Sequence, residues 1–201
     1  MILVVATANP GKLREYESLL DGLGLELRAA AALAGAPRVD ETADTYLDNA
    51  RAKAHALARY SGCAALGDDS GLEVDALGGA PGVRSARFAA DAGRAAAGDD
   101  AANRALLLER LRDTPDPERG ARFRCVIVVA HPDGRELVAE GTCAGVITRA
   151  PRGAGGFGYD PLFFYPPLSR TFAELTTAEK DRVSHRAAAV QSLRIVPFPP
   201  P

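Results

Sequence analysis

The first apolar run, Ile2 to Ala6, is continuous and β-rich, as expected of a strand covered on both faces. A turn at TANPG leads from it into LREYESLL, whose apolar positions recur at helical spacing. Leu25 to Ala30 reads as a second strand. Thr45 to Tyr60 reads as a helix: Thr45 with Asp48 makes a start like a capping box, alanine is abundant, and Gly62 stands just past the end. Cys63 to Leu66 then reads as a short inner strand that leads into Asp68 and Asp69. The stretch LGGAPGVRSARF must turn sharply, and Asp100 to Arg112 is an amphipathic helix that carries Leu106, Leu107 and Leu111 inward until DTPDPERG breaks it.

After that break the rhythm becomes extended. RFRCVIVVA, the HPDG turn and ELVAEGTCAGVIT predict a hairpin whose register the pattern does not fix. RGAGGFGYDPLFFYPP is a glycine and aromatic loop too irregular to count as an element, TTAEKDRVSHRAAAVQSLR is mostly helical, and the PFPPP tail is expected to be disordered. No repeat or linker divides the chain, so residues 1–196 are expected to form one domain, with 197–201 as the tail. Helices interleaved with strands and a late hairpin predict an α/β fold on a mixed sheet, with ligands where strands end in loops.

Composition narrows the function. The chain has 24 Lys and Arg against 26 Asp and Glu, a net charge of -2, and both signs are scattered. No basic stripe is present, which argues against duplex nucleic acid as a partner. Cys63, Cys125 and Cys143 lie far apart, without zinc-site spacing, and read as reduced thiols. The N-terminal apolar run is too short for a signal peptide, and no stretch approaches a membrane span, so a cytoplasmic, soluble protein without a membrane partner is expected.

Four segments carry candidate chemistry. TANPGK, a loop after a buried strand and before a helix, offers backbone N–H groups, the positive end of the helix dipole and Lys12, and so suits a triphosphate; a turn with a surface lysine explains it equally well. Asp40 and Glu41 before one helix, and Asp68 and Asp69 after one strand, would gather up to four carboxylates if the fold joins their loops. That number of hard oxygen ligands suits Mg²⁺ shared with phosphate oxygens, although acidic residues before a helix are also ordinary. In GGFGYDP, glycines let the backbone approach a ligand while Phe157 offers a stacking face; Phe157 and Tyr159 as core plugs is the plain alternative. In EKDRVSHR, Lys180, His185 and Arg186 present donors suited to base edges or phosphates, with a solvated helix face as the alternative, which is accepted for Arg182 and Arg194.

Taken in this order, ATANPGK with Glu15, ETADTYLDNARAKA, DDSGLEVDALGGAPGVRSARF, GGFGYDPLF and AELTTAEKDRVSHR make the chain resemble the inosine and xanthosine triphosphate pyrophosphatases, a family that hydrolyses non-canonical purine nucleotides. The resemblance runs over nearly the whole chain. It implies that Thr7, Asn9 and Lys12 hold the triphosphate with Lys53 in support, that Glu41 and Asp69 hold Mg²⁺ with Mn²⁺ as a substitute, and that Asp69 is the catalytic carboxylate with Asp68 beside it. It further implies that Ser70 touches the substrate, and that Phe157, Gly158, Tyr159, Asp160, Lys180, His185 and Arg186 form the base and sugar pocket. An elongated mixed twisted sheet flanked by helices, two lobes around a central nucleotide cleft, and a homodimer are likewise what the resemblance implies. Ala187 departs from it, standing where the family usually has glycine.

On chemical grounds, Asp68 is expected to supply the like charge that raises the Asp69 pKa. Two competing readings are a Maf-type pyrophosphatase acting on other nucleotides, against which Phe157 and His185 speak, and a catalytically silent nucleotide sensor, which would gain little from paired aspartates.

Overall fold

The computed structural model describes residues 1–193, so the expected tail at 197–201, the domain end at 196 and the surface role of Arg194 fall outside the described residues. The strands are β1 (Ile2–Val5), β2 (Glu26–Ala29), β3 (Ala64–Val74), β4 (Gly120–Ala130), β5 (Glu136–Ile147), β6 (Phe163–Tyr165) and β7 (Arg170–Thr171). The helices are α1 (Pro10–Leu19), α2 (Tyr46–Ser61), α3 (Phe88–Asp91), α4 (Asp100–Arg110), α5 (Thr177–Val183) and α6 (His185–Ser192). The sheet has the order β2-β1-β3-β4-β5-β6-β7. It is mixed: β1 runs parallel to β2 and β3, while β6 runs antiparallel to β5 and β7.

The chain divides into two compact units. The first takes Met1–Asp69, Cys125–Gly141 and the described residues from His185 onward; its core joins Leu3, Val5, Tyr16, Leu20, Leu66, Cys125, Ile127 and Val190. The second takes Ser70–Arg124 and Thr142–Ser184; its core joins Leu72, Leu107, Phe123, Phe163 and Phe172, the three rings lying within 5.8 Å of one another by centroid.

Several expectations are met by the local chemistry. Thr45 caps α2 by accepting Asp48 N–H at 3.1 Å, and Gly62 ends that helix at φ 65°, a left-handed position that suits glycine. Leu106, Leu107 and Leu111 are buried. The HPDG turn closes β4 and β5, with His131 N–H donating to the Arg135 carbonyl at 2.8 Å. The three cysteines are free.

Three expectations are corrected. β3 does not stop at Leu66 but runs through both aspartates to Val74, because nearly every residue along it is buried and bonded as strand; the acidic pair is therefore inside a strand rather than in a loop. The glycine and aromatic segment does contain an element, β6, whose Phe164 pairs with Val146 and Thr171. The terminal helix is broken at Ser184, whose extended backbone (φ -74°, ψ 157°) separates α5 from α6, and the sequence holds no proline or glycine there to announce it.

Gly67 shows why β3 and α2 approach so closely. A Cβ at this position would press on the Ala50 carbonyl and lie 2.7 Å from Ala54 N. Glycine on the strand and alanines on the helix thus bring Asn49 and Lys53, one turn apart on α2, down to the sheet. Gly67→Ala is expected to cost about 1–3 kcal/mol through overpacking of fixed backbone, read as a lower denaturation midpoint. An unchanged midpoint would refute the close approach.

Candidate active site

Strand alternation organises the first unit's polar centre. Even positions 64 and 66 of β3 lie in the core with Tyr16 and Leu20, whereas odd position 67 lies against α2. Asp68 continues the even side and Asp69 the odd side, so neighbours in sequence project to opposite faces. This resolves their repulsion, and they meet different partners.

Asp68 is 1% exposed and pairs with Lys12 Nζ at 2.8 Å, while Arg186 Nη2 lies 3.6 Å away. Burial pushes its carboxyl up, but the charges of Lys12, Arg186 and Lys53 outweigh this and hold it well below the usual carboxylate range. Lys12 responds in kind: burial lowers it, Asp68 raises it, and the net shift is upward. Arg186, also buried, pairs with Glu15 and sits over the Tyr16 ring, 5.7 Å from its centroid. Its guanidinium is thus committed to Glu15 and Asp68.

Asp69 has the opposite character. Asn49 Nδ2 donates to its Oδ2 at 2.8 Å, and the amide is oriented because Asn49 Oδ1 accepts Ala43 N–H at 3.0 Å. Lys53 reaches from the same helix face to Glu41 at 2.5 Å and to the Asp68 carbonyl oxygen. Burial raises the Asp69 carboxyl to about 6, against the lowering charges of Lys53 and Lys12. The like charge that adds to this rise is Glu41, not Asp68 as sequence adjacency implied, since the strand turns Asp68 away. Glu41 itself is lowered: burial opposes ionisation, and Lys53 overcomes it.

The start of α1 corrects another expectation. Its first residue is Pro10, which has no N–H; Asn9 Oδ1 accepts the N–H groups of Gly11 and Lys12 at 2.8 and 3.2 Å, and Leu13 N–H goes to the Asn9 carbonyl at 3.1 Å. The first-turn donors are therefore satisfied by the cap, not held out to an anion. Thr7 Oγ1 accepts Asn9 N–H at 3.1 Å, so an anion here would meet the Lys12 ammonium and the Thr7 and Asn9 side chains.

Glu15, Glu41, Asp68 and Asp69 face Lys12, Lys53 and Arg186, one carboxylate in excess. Among the described residues no group of three or more His, Cys, Asp or Glu is arranged to hold a metal ion by itself. The donor set nevertheless fits a hard divalent cation that takes one or two carboxylates from protein and the rest from phosphate and water: the Glu41 charge acts on Asp69, and burial raises the Asp69 carboxyl to about 6.

The second unit holds the other candidates. Lys180 Nζ pairs with Asp160 Oδ2 at 2.5 Å and lies 4.9 Å from the centre of the half-buried Phe157 ring. Asp160 Oδ2 also accepts Phe157 N–H at 2.9 Å. Tyr159 is buried in the core, its hydroxyl donating to the Ser85 carbonyl at 2.9 Å, while Ser70 is half-buried on β3. His185 and Ala187 are buried on α6 and belong to the first unit, whereas the Phe157 loop belongs to the second. Sequence reasoning missed Asn49; its only signal was a position four residues before Lys53.

Comparison with known proteins agrees with the resemblance seen in the motifs. A dITP/XTP pyrophosphatase of Desulforamulus reducens is 50% identical over 191 residues, covering 95% of this chain and 92% of the relative. One from Thermus thermophilus is 50% identical over 193 residues, covering 96% and 90%. A solved HAM1 protein from Coxiella burnetii superposes with a TM-score of 0.83 at 39% identity, covering 96% of each chain. The Ham1 family model matches residues 3–196, and the chain belongs to the Ham1 family.

Proposed function

We propose that this protein hydrolyses the non-canonical purine nucleotides ITP, dITP and XTP to the monophosphate and pyrophosphate, removing them from the nucleotide pool. The observation that carries the reading is the buried Asp69 carboxylate, held by Asn49 and raised to about 6, beside two lysines. A carboxyl so placed is ionised at neutral pH yet basic enough to take a proton from water, which an ordinary aspartate does poorly. The name dITP/XTP pyrophosphatase carried by relatives at up to half identity supports the substrate class.

In this reading Asp69 takes a proton from a water that attacks the α-phosphorus in line. The new bond is from the water oxygen to the α-phosphorus, the bond that breaks joins that phosphorus to the α–β bridging oxygen, and pyrophosphate leaves. Lys12 and Lys53 face the phosphate charge, with Thr7 and Asn9 as further donors. Glu41 and Asp69 would hold Mg²⁺, or Mn²⁺ in its place; when bound, the ion supplies charge neutralisation and a lowered water pKa. In the second unit Phe157 offers its ring to the base, with Gly158, Tyr159, Asp160 and Lys180 shaping that contact and Ser70 near the substrate. His185, in the first unit, is a further candidate donor to the nucleotide, and Arg186 acts by holding Asp68. A homodimer in the cytoplasm is proposed on the ground of the resemblance, and sedimentation equilibrium decides the first part.

Hydrolysis of ITP in ¹⁸O-labelled water tests the reaction: one label is expected in the monophosphate and none in pyrophosphate, with turnover lost on chelation and restored by Mg²⁺. Label in pyrophosphate would refute attack at the α-phosphorus.

A further inference from the structure

Helix α4 grips the glycine and aromatic loop by both polar groups of a single residue. Asp100 Oδ2 accepts the Gly158 N–H at 2.7 Å, and Arg104 Nη1 donates to the Gly158 carbonyl at 2.7 Å. The two side chains are four residues apart and so share one face of the helix. Gly158 sits at φ 59°, a conformation that this pair holds in place.

The same loop is tied from within. Phe157 N–H goes to Asp160 Oδ2, Asp160 N–H returns to the Phe157 carbonyl at 3.1 Å, and the Asp160 carbonyl accepts Ala173 N–H at 3.2 Å. A Cβ on Gly156 would lie 2.8 Å from Asp160 Cγ, so the turn closes on its own carboxylate. With the backbone on both sides of Phe157 fixed, less of the loop remains to be ordered when a ligand stacks on the ring.

We propose that Asp100 and Arg104 are positioning residues for base recognition, holding Gly158 so that the neighbouring Phe157 ring is preorganised for a purine. The proposal rests on the reading of Phe157 as the base-stacking face. Both would act through Gly158 rather than by touching the nucleotide. Their effect is on ground-state binding of the base, so it appears in KM rather than kcat.

The test compares ITP with tripolyphosphate, which has the phosphate chain and no base, as a competitive inhibitor. In Asp100→Ala and Arg104→Met, KM for ITP is expected to rise about tenfold with kcat within about twofold, while the inhibition constant of tripolyphosphate stays at the wild-type value. Asp100→Asn keeps an acceptor for Gly158 N–H and is expected to stay within about threefold of wild type. An unchanged KM in both disruptive variants would overturn the proposal. So would equal weakening of ITP and tripolyphosphate, the mark of a general loss of structure. A wild type whose binding gains nothing from the base would instead overturn the stacking role of Phe157, and the proposal with it.

Discussion

Asp69→Asn is expected to lower pyrophosphate release by about 10³-fold or more, and at the same time, without divalent ions, to raise the protein's thermal midpoint. The first effect follows from loss of the proposed proton acceptor. The second follows from linkage. The native state holds the Asp69 proton more tightly than the unfolded chain, with the carboxyl raised from 3.8 to about 6 chiefly by burial and further by Glu41. Stability from this group is fully present below the unfolded value and is lost as pH rises through about 6, a difference of about 3 kcal/mol if the whole shift is realised. Asparagine carries no such penalty, and its oxygen can still accept from Asn49. Thermal denaturation at pH 7.5 in chelator is expected to show the variant more stable by about 1–3 kcal/mol, or about 2–4 °C for each kcal/mol, with the advantage vanishing near pH 4. Added Mg²⁺ should raise the wild type more than the variant, because only an ion bound by the native state stabilises it. A variant less stable than wild type at pH 7.5 in chelator would contradict this account.

Arg186→Met is expected to be the most destabilising substitution in the first unit, costing about 3–5 kcal/mol. The guanidinium is 1% exposed, pairs with Glu15 and lies 3.6 Å from Asp68, so its removal leaves two buried carboxylates undercompensated. The loss is large against a total stability of about 5–15 kcal/mol. Asp68 adds a pH dependence of the opposite sign from that of Asp69. Its folded-state pKa lies below the ordinary value because Lys12, Arg186 and Lys53 overcome the effect of burial, so its contribution is present above the unfolded value and lost as pH falls below it. Acid unfolding of the Arg186 variant should therefore begin at higher pH than in wild type. Because the single variant is poorly folded, the informative comparison is a double-mutant cycle in denaturant: Glu15→Gln with Arg186→Met should be milder than the sum of the two single changes. Additive losses would mean that Arg186 does not hold Glu15.

Much of this was legible in the sequence where local chemistry decides. Thr45, the alanines of α2 and Gly62 define a helix with both ends marked, and the Asp68–Asp69 pair announces a charge that something must answer. What the sequence concealed depends on alternation and on long-range pairing. Two adjacent aspartates read as one acidic site until β3 is seen to run through them and turn them to opposite faces. The TANPGK segment reads as an anion cradle until Asn9 is seen to take the first-turn N–H groups itself. Arg186 reads as a base-binding donor, but Glu15, 171 residues away in sequence, claims it. The grip of Asp100 and Arg104 on Gly158 spans 54 to 58 residues and has no motif. The break at Ser184 is marked by no proline or glycine, only by Val183, Ser184 and His185 being weaker helix formers than the alanines that follow.

The central claim is that the buried Asp69 carboxylate, raised by burial and by the charge of the half-buried Glu41, shares a divalent cation with Glu41. Direct titration of the Asp69 side-chain carboxyl by carbon-13 NMR tests it most closely. The account predicts a midpoint near 6 in metal-free protein that moves downward when Mg²⁺ is added with tripolyphosphate. A midpoint already ordinary in the metal-free protein, or one near 6 that Mg²⁺ leaves unmoved, would contradict it.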